Sequence, residues 1–144
     1  MSLCCVTYTD EWSAAHNSYL DLELGAKHKI VGSNSTTLGR KKPGDMVIIT
    51  ATKEGVRYFT VVELIVKLEE CTLWADAGGL PWDHNFSYKP LTEIIKLTPE
   101  IKEVRDRLCL EVGLNPAMFM NSRFCSSKFL PVVNGLLLTL SGTI

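Results

Sequence analysis

The chain has 144 residues, 46% of them hydrophobic and 22% charged, with a formal net charge of −1. A chain of this size buries about 68–70% of its unfolded surface, so a single domain over residues 1–144 is expected to hold its own core without a metal or a disulfide. The near-zero net charge excludes polyanion binding through overall charge, so any nucleic-acid contact must come from a local basic patch.

Leu3 to Thr9, LCCVTYT, has the composition of a strand. Asp10 to Gly25 reads as a short helix. Asp10 suits the N-cap, Trp12, Ala15, Tyr19 and Leu22 recur at helical spacing, and Gly25 stops it. HKIVG fits a short strand, and SNSTTLGRK a polar loop without periodicity. Pro43-Gly44-Asp45 then turns sharply into DMVIITAT, whose continuous apolar run requires burial on both faces. The chain turns again at Gly55, and RYFTVVELIVKLEE returns as the long second strand of a hairpin, with CTLW closing it. ADAGGLPWDHNFSY reads as a second irregular loop and KPLTEIIKL as an extended edge strand. The clearest helix follows. Thr98 caps it, Pro99 takes its first position, Ile101, Val104, Leu108 and Val112 form the buried stripe, and Gly113 ends it. Asn115 and Pro116 open a short helix, and NGLLLTL is a final strand or core segment. Strands separated by short helices, with a central hairpin and no regular βαβ alternation, indicate an α+β domain with a small curved or closed sheet.

Cys4, Cys5, Cys71, Cys109 and Cys125 are odd in number and include no C-x-x-C pair. Residues 1–12 carry Asp10 and Glu11 and lack the apolar core of a secretory leader. The expectation is reduced, buried thiols in a cytoplasmic protein. The most apolar run, Phe129 to Leu140, is broken by Pro131, Asn134 and Gly135 and falls short of the ~20 residues of a membrane span, so no membrane partner is expected.

The motifs of catalysis are sparse. There is no G-x-S-x-G elbow, and neither AGGLPW nor GSNSTTLGRKKPGD has the spacing of a phosphate loop. His16, His28 and His84 form no H-x-H or H-E-x-x-H pattern. Asp76, Asp83 and His84 share one loop and could hold a cation, although turn formation accounts for the aspartates equally well. No cofactor or metal is indicated, and a non-catalytic protein is expected.

Two loops carry more information. Trp74, Trp82, Phe86 and Tyr88 interleave with Gly78, Gly79, Asp83 and Asn85. Flat aromatic faces beside small hydrogen-bonding residues suit a flat heteroaromatic ligand, and the same aromatics also suit a core sealed beneath a long loop. Ser33, Asn34, Ser35, Thr36 and Thr37 are five consecutive hydroxyl or amide side chains, flanked by Lys27, Lys29, Arg40, Lys41 and Lys42. Short donors between basic residues suit a phosphate backbone or a base edge; a solvated loop has the same composition.

The order of these pieces has a counterpart. VGSNST is followed by a basic run and KPGDMVIITA, then by RYFTVVELI, and later by an aromatic loop ending in YKPLTEIIKL. Over roughly residues 25–100 this resembles the EVE branch of the PUA-like superfamily, which also contains the YTH and ASCH domains. The resemblance implies a small, strongly curved PUA-like β-barrel of five or six strands with flanking helices, and a pocket for one nucleobase at the barrel mouth. It also implies a reader of modified DNA or RNA that flips out a base, either alone or as the targeting module of a larger restriction-type enzyme.

Joined to the two loops, it makes Ser33, Asn34, Ser35, Trp74, Trp82, Asn85 and Tyr88 the candidate base pocket. Lys27, Lys29, Arg40, Lys41 and Lys42 are the candidate phosphate contacts. Assigning the two tryptophans to stacking rests on the residues themselves and not on a family correspondence. The alternatives are a protein that sequesters a nucleotide or other heteroaromatic metabolite and, last, a hydrolase using Asp76, Asp83, His84 or a cysteine.

Overall fold

The computed structural model describes residues 1–13, 17–79 and 81–141. Its centre is the hairpin of β3 (Met46–Lys53) and β4 (Val56–Leu68). Lys53 pairs with Val56, which leaves Glu54 and Gly55 as a two-residue loop at φ 52° and 78°. Two positive φ values are what a tight hairpin with the native strand twist requires. The entrance to β3 is equally defined. Gly44 takes φ 93°, and Asp45 accepts hydrogen bonds from the Lys42 N–H and the Ser2 N–H, both at 2.8 Å.

Around this hairpin lie β1 (Leu3–Thr7), β2 (Ile30–Ser33), β5 (His84–Pro90) and β6 (Ile95–Lys96). The strand order is β1-β3-β4-β5-β2, with β6 also on β4. Among the described residues only β1 with β3 is parallel, and the long connection between them carries α1 (Ser18–His28), β2 and the single turn α2 (Thr36–Gly39). A bulge between Leu64 and Val66 bends β4.

The two-residue period of the strands separates two cores. Cys4, Val6 and Tyr8 face one of them, with Val31, Val47, Ile49, Val62, Leu64 and Phe86 from the other strands. Leu22 of α1, Leu38 of α2 and Trp74 of α3 (Leu73–Asp76) complete it. Leu3, Cys5, Met46, Ile48, Phe59 and Val61 face the opposite way, against α4 (Pro99–Glu111) and α5 (Leu130–Ser141). Packing on both faces is why β3 is buried from Met46 to Ala51, as its unbroken apolar run requires.

Both end strands, β1 and β2, contribute to the first core, and the Tyr8 hydroxyl accepts a hydrogen bond from the Gly32 N–H at 3.2 Å. The sheet therefore curls until its ends come within reach of one side chain. Among the described residues no ladder joins β1 to β2, so the molecule is α+β with an open six-stranded mixed sheet. A closed barrel, as expected from the sequence, is not what forms. Among the described residues no helix is long and apolar enough to cross a membrane.

Several elements differ from the sequence reading. The first helix does not start at Asp10. A 3-10 turn spans Asp10–Trp12, and α1 begins after Asn17, whose Oδ1 accepts from the Leu20 N–H at 2.8 Å. Ala15 and His16 lie outside the described residues. Gly25 sits inside α1, buried against the Ile30 carbonyl, and Lys29 at φ 58° ends the helix. Ser35 caps α2 within the polar loop, and CTLW enters a helical turn and not a strand. The second half of the aromatic loop is β5, whereas KPLTEIIKL retains only a two-residue β6. In α4 the Thr98 hydroxyl accepts from the Ile101 N–H as expected, but Val112 is 45% exposed, and the buried residues are Arg105 and Cys109. The final apolar run is helix α5, which covers the outer face of the sheet.

Candidate functional site

Where the curled sheet fails to close, a cleft of about 360 Å³ opens. Val6, Thr7, Tyr8 and Thr9 form one side, Gly32, Ser33, Asn34 and Ser35 the other, and Trp82 lies across it. Its volume is at the lower end of the roughly 300–1,000 Å³ range of small-molecule pockets.

The aromatic wall is built from the core outward. Trp74 is fully buried, and its indole N–H donates to Asn85 Oδ1 at 2.8 Å. The Asn85 amide then donates to the Trp82 carbonyl at 2.9 Å. Trp82 packs edge-on against Trp74 and nearly parallel to Tyr8, with ring centroids 6.4 and 6.0 Å away. Gly32 is required beneath this group, because a Cβ there would lie 2.5 Å from Asn85 Oδ1 and 2.7 Å from Trp74 Nε1 and Trp82 Cδ1. Tyr8 is held neutral: burial drives its pKa well above the ordinary tyrosine value, outweighing the hydrogen bond from Gly32.

The polar rim is a set of short turns. Ser33 Oγ accepts from the Ser35 N–H at 3.0 Å, and Ser35 Oγ from the Thr37 N–H at 3.1 Å. Asn34 Oδ1 accepts from the Asp83 N–H at 2.8 Å and so ties this rim to the tryptophan loop. Among the described residues, Thr50 Oγ1 and Trp82 Nε1 are buried without a hydrogen-bond partner, a state that costs about 1–3 kcal/mol each.

Of the candidate pocket residues, Ser33, Asn34, Ser35 and Trp82 share this cleft. Trp74 and Asn85 stand behind it as supports and do not line it. Tyr88 lies elsewhere, on a larger groove of about 900 Å³ between the β5–β6 connection and the end of α5. That groove is lined mainly by aliphatic side chains such as Leu91, Ile94, Leu137 and Leu140, and burial pushes the Tyr88 hydroxyl up to about 12. Of the five basic candidates, Lys27 and Lys29 sit at the C-terminal end of α1, while Arg40, Lys41 and Lys42 follow α2 toward the β3 entrance. None lines the cleft, and Lys41 Nζ donates to Ser2 Oγ at 3.0 Å.

Asp76 and Asp83 are exposed, and the His84 ring packs against Gly39. Among the described residues no three His, Cys, Asp or Glu side chains gather so as to hold a metal ion. The five thiols are free. Burial pushes Cys4 up to about 11 and Cys5 up to about 12, and raises Cys109 and Cys125, which opposes thiolate chemistry at these four positions.

Tyr8 is the site residue that the sequence did not mark. The alternation of LCCVTYT places it on the face of Cys4 and Val6, but nothing local connects that face with a loop 24 residues away. No protein-family model, curated protein or solved structure matches this chain.

Proposed function

We propose that the protein is a non-catalytic nucleic-acid-binding domain that takes one base, in a modified form, into the cleft between β1 and β2. The observation that carries this is the meeting of Trp82 and Tyr8 with the Ser33–Ser35 rim in one opening of suitable size. Flipping a base out costs a few kcal/mol, and stacking on one aromatic returns about 1–3 kcal/mol, so edge hydrogen bonds must supply the rest. The likeness of GSNSTTLGRKKPGD and its neighbours to EVE and other PUA-like domains supports the same reading, since there the loop before the turn forms the base pocket. Arg40, Lys41 and Lys42, in the segment after the rim, are the proposed phosphate contacts. Five cysteines, odd in number and without a C-x-x-C pair, fit a reducing compartment such as the cytoplasm.

A second reading is favoured by the absence of any charged side chain from the cleft lining. The cleft would then hold a neutral heteroaromatic metabolite without polymer contact. Titrating the tryptophan fluorescence with single-stranded and duplex DNA and RNA, bearing modified and unmodified bases at low salt, tests the first reading. Binding that weakens steeply with added salt supports polymer recognition. Salt-independent binding of a free base or nucleoside supports the second, and no response to any oligonucleotide removes the first.

A further inference from the structure

We infer that the groove of about 900 Å³ between the β5–β6 connection and the end of α5 is a binding site for a slender aliphatic molecule with one neutral oxygen group, such as a medium-chain alcohol. This site is separate from the cleft and does not rest on the base-reading function.

The groove follows from the way β5 leaves the sheet. Pro90 is its last residue and has no N–H with which to extend a ladder. The chain is then strapped to β4. The N–H groups of Leu91 and Thr92 both donate to the Val61 carbonyl, at 2.8 and 3.2 Å. Thr92 Oγ1 accepts from the Val61 N–H at 3.0 Å, and the Thr60 hydroxyl donates to the Thr92 carbonyl at 3.0 Å. Strand pairing resumes only at Ile95. Tyr88 and Ile94 pack with the first core, and Leu91, Ile95 and Leu137 with the second, yet all five line this one groove. Its aliphatic walls stay half-buried in the folded protein, so a ligand that covers them gains the ordinary benefit of apolar burial. The volume is at the upper end of the roughly 300–1,000 Å³ range of small-molecule pockets.

One hydroxyl is set among these walls and has no partner. Tyr88 is only 3% exposed. Burial alone raises its pKa, with no hydrogen bond or charge acting on it, so the group is neutral. Its oxygen is not among the sealed, unpartnered atoms, as Trp82 Nε1 is, so a partner can reach it. An aliphatic chain covers the walls, and an oxygen at its end gives this hydroxyl a hydrogen bond. An ionised head group would lose its hydration beside Tyr88 without a matching charge. Among the described lining residues none is basic, which disfavours a carboxylate, and Glu93 adds repulsion. An ammonium group has only the exposed Glu93 to pair with, a weak and screened partner.

The experiment titrates methyl-labelled protein with 1-octanol, octanoate and octylamine, which share a chain and differ in head group, and follows the methyl signals by NMR. 1-Octanol is expected to shift the signals of Leu91, Ile94 and Leu137 and to bind about fivefold more tightly than either ionised probe. From 1-butanol to 1-hexanol, affinity should rise by about fourfold for each added methylene, the value of burying that group. These comparisons use wild-type protein and need no variant to fold. Tyr88→Phe keeps the ring and removes the hydroxyl. Once circular dichroism shows it folded, it should bind 1-octanol about fivefold more weakly. Absence of shifts at these methyls with every alcohol, or shifts confined to the Val6 and Trp82 cleft, overturns the site. An ionised probe that binds as tightly as 1-octanol, or an unchanged affinity in folded Tyr88→Phe, overturns the neutral-oxygen assignment. Each of these outcomes leaves the base-reading function where it stands.

Discussion

At the scale of single residues, Trp74 follows the strand-like composition of CTL, which favours a core place, whereas Trp82 follows Gly78-Gly79 and Pro81 on an irregular loop, and the two differ in place accordingly. Trp74 is enclosed, and its N–H occupies Asn85 Oδ1. Trp74→Ala should therefore cost about 3–5 kcal/mol of stability, and also leave a buried amide oxygen without its partner. Trp82 is half-buried, so Trp82→Ala should cost markedly less in a thermal melt and lose about 1–3 kcal/mol of ligand affinity in the accompanying titration. Equal stability losses for the two variants would make Trp82 a core residue and remove it from the site.

Asp45 makes a pH-dependent contribution. Partial burial works against its ionised form, but hydrogen bonds from the Lys42 and Ser2 N–H groups and the nearby Lys41 charge outweigh this and hold its pKa below the ordinary value. A group depressed in the folded state stabilises the fold above its unfolded pKa of about 4, and that contribution is lost as pH falls through the lower folded value. Asp45→Asn should be less stable than wild type by about 1 kcal/mol at neutral pH, allowing for solvent screening. The gap should close in strong acid. Urea titrations at several pH values check this, and a gap independent of pH would assign the effect to shape and not to charge.

At the scale of elements, the β3–β4 hairpin is the stability centre because both of its faces are covered. Val62 is fully buried and Ile65 is 48% exposed, on a bulged stretch of the same strand. Val62→Ala should lower stability by about 1–3 kcal/mol, and Ile65→Ala by less than about 1 kcal/mol, in spite of the larger side chain removed. The order of their urea midpoints is the measurement. β2 is tested by Gly32→Ala, whose added methyl would meet Asn85, Trp74 and Trp82 at once. Overpacking of this kind costs about 1–3 kcal/mol, and here it should also displace Trp82 and weaken binding in the cleft.

At the scale of the whole molecule, the cleft exists because the sheet curls without closing. The side chain of Tyr8 meets β2 where a strand-to-strand ladder would otherwise run. The net charge of −1 means that long-range attraction to nucleic acid is weak, so binding must draw on local contacts. If Arg40, Lys41 and Lys42 hold phosphates, the triple change to Ala should flatten the salt dependence of oligonucleotide binding by up to about three counterions. It should leave affinity for a free nucleoside unchanged. A parallel loss for both ligands would place these residues in the fold and not at a phosphate-binding surface.

Local chemistry alone determined the hairpin, the turn at Gly44 and Asp45, the capped start of α4 and the general α+β class. Each of these is marked by residues close together in the chain, such as the Thr98 hydroxyl and the Ile101 N–H, although Asp45 is tied to the distant Ser2 N–H as well. The rim was legible for the same reason, since Ser33, Asn34 and Ser35 are adjacent in the chain. The tertiary structure alone decided that Tyr88 lies on a different groove and that NGLLLTL is helix and not strand. It also decided that Tyr8 joins the cleft and that the sheet stays open. Those outcomes are set by which faces meet across long loops, as when β1 and β2 approach through the first core. Apolar runs such as NGLLLTL bury equally well as helix or strand until a partner surface selects one.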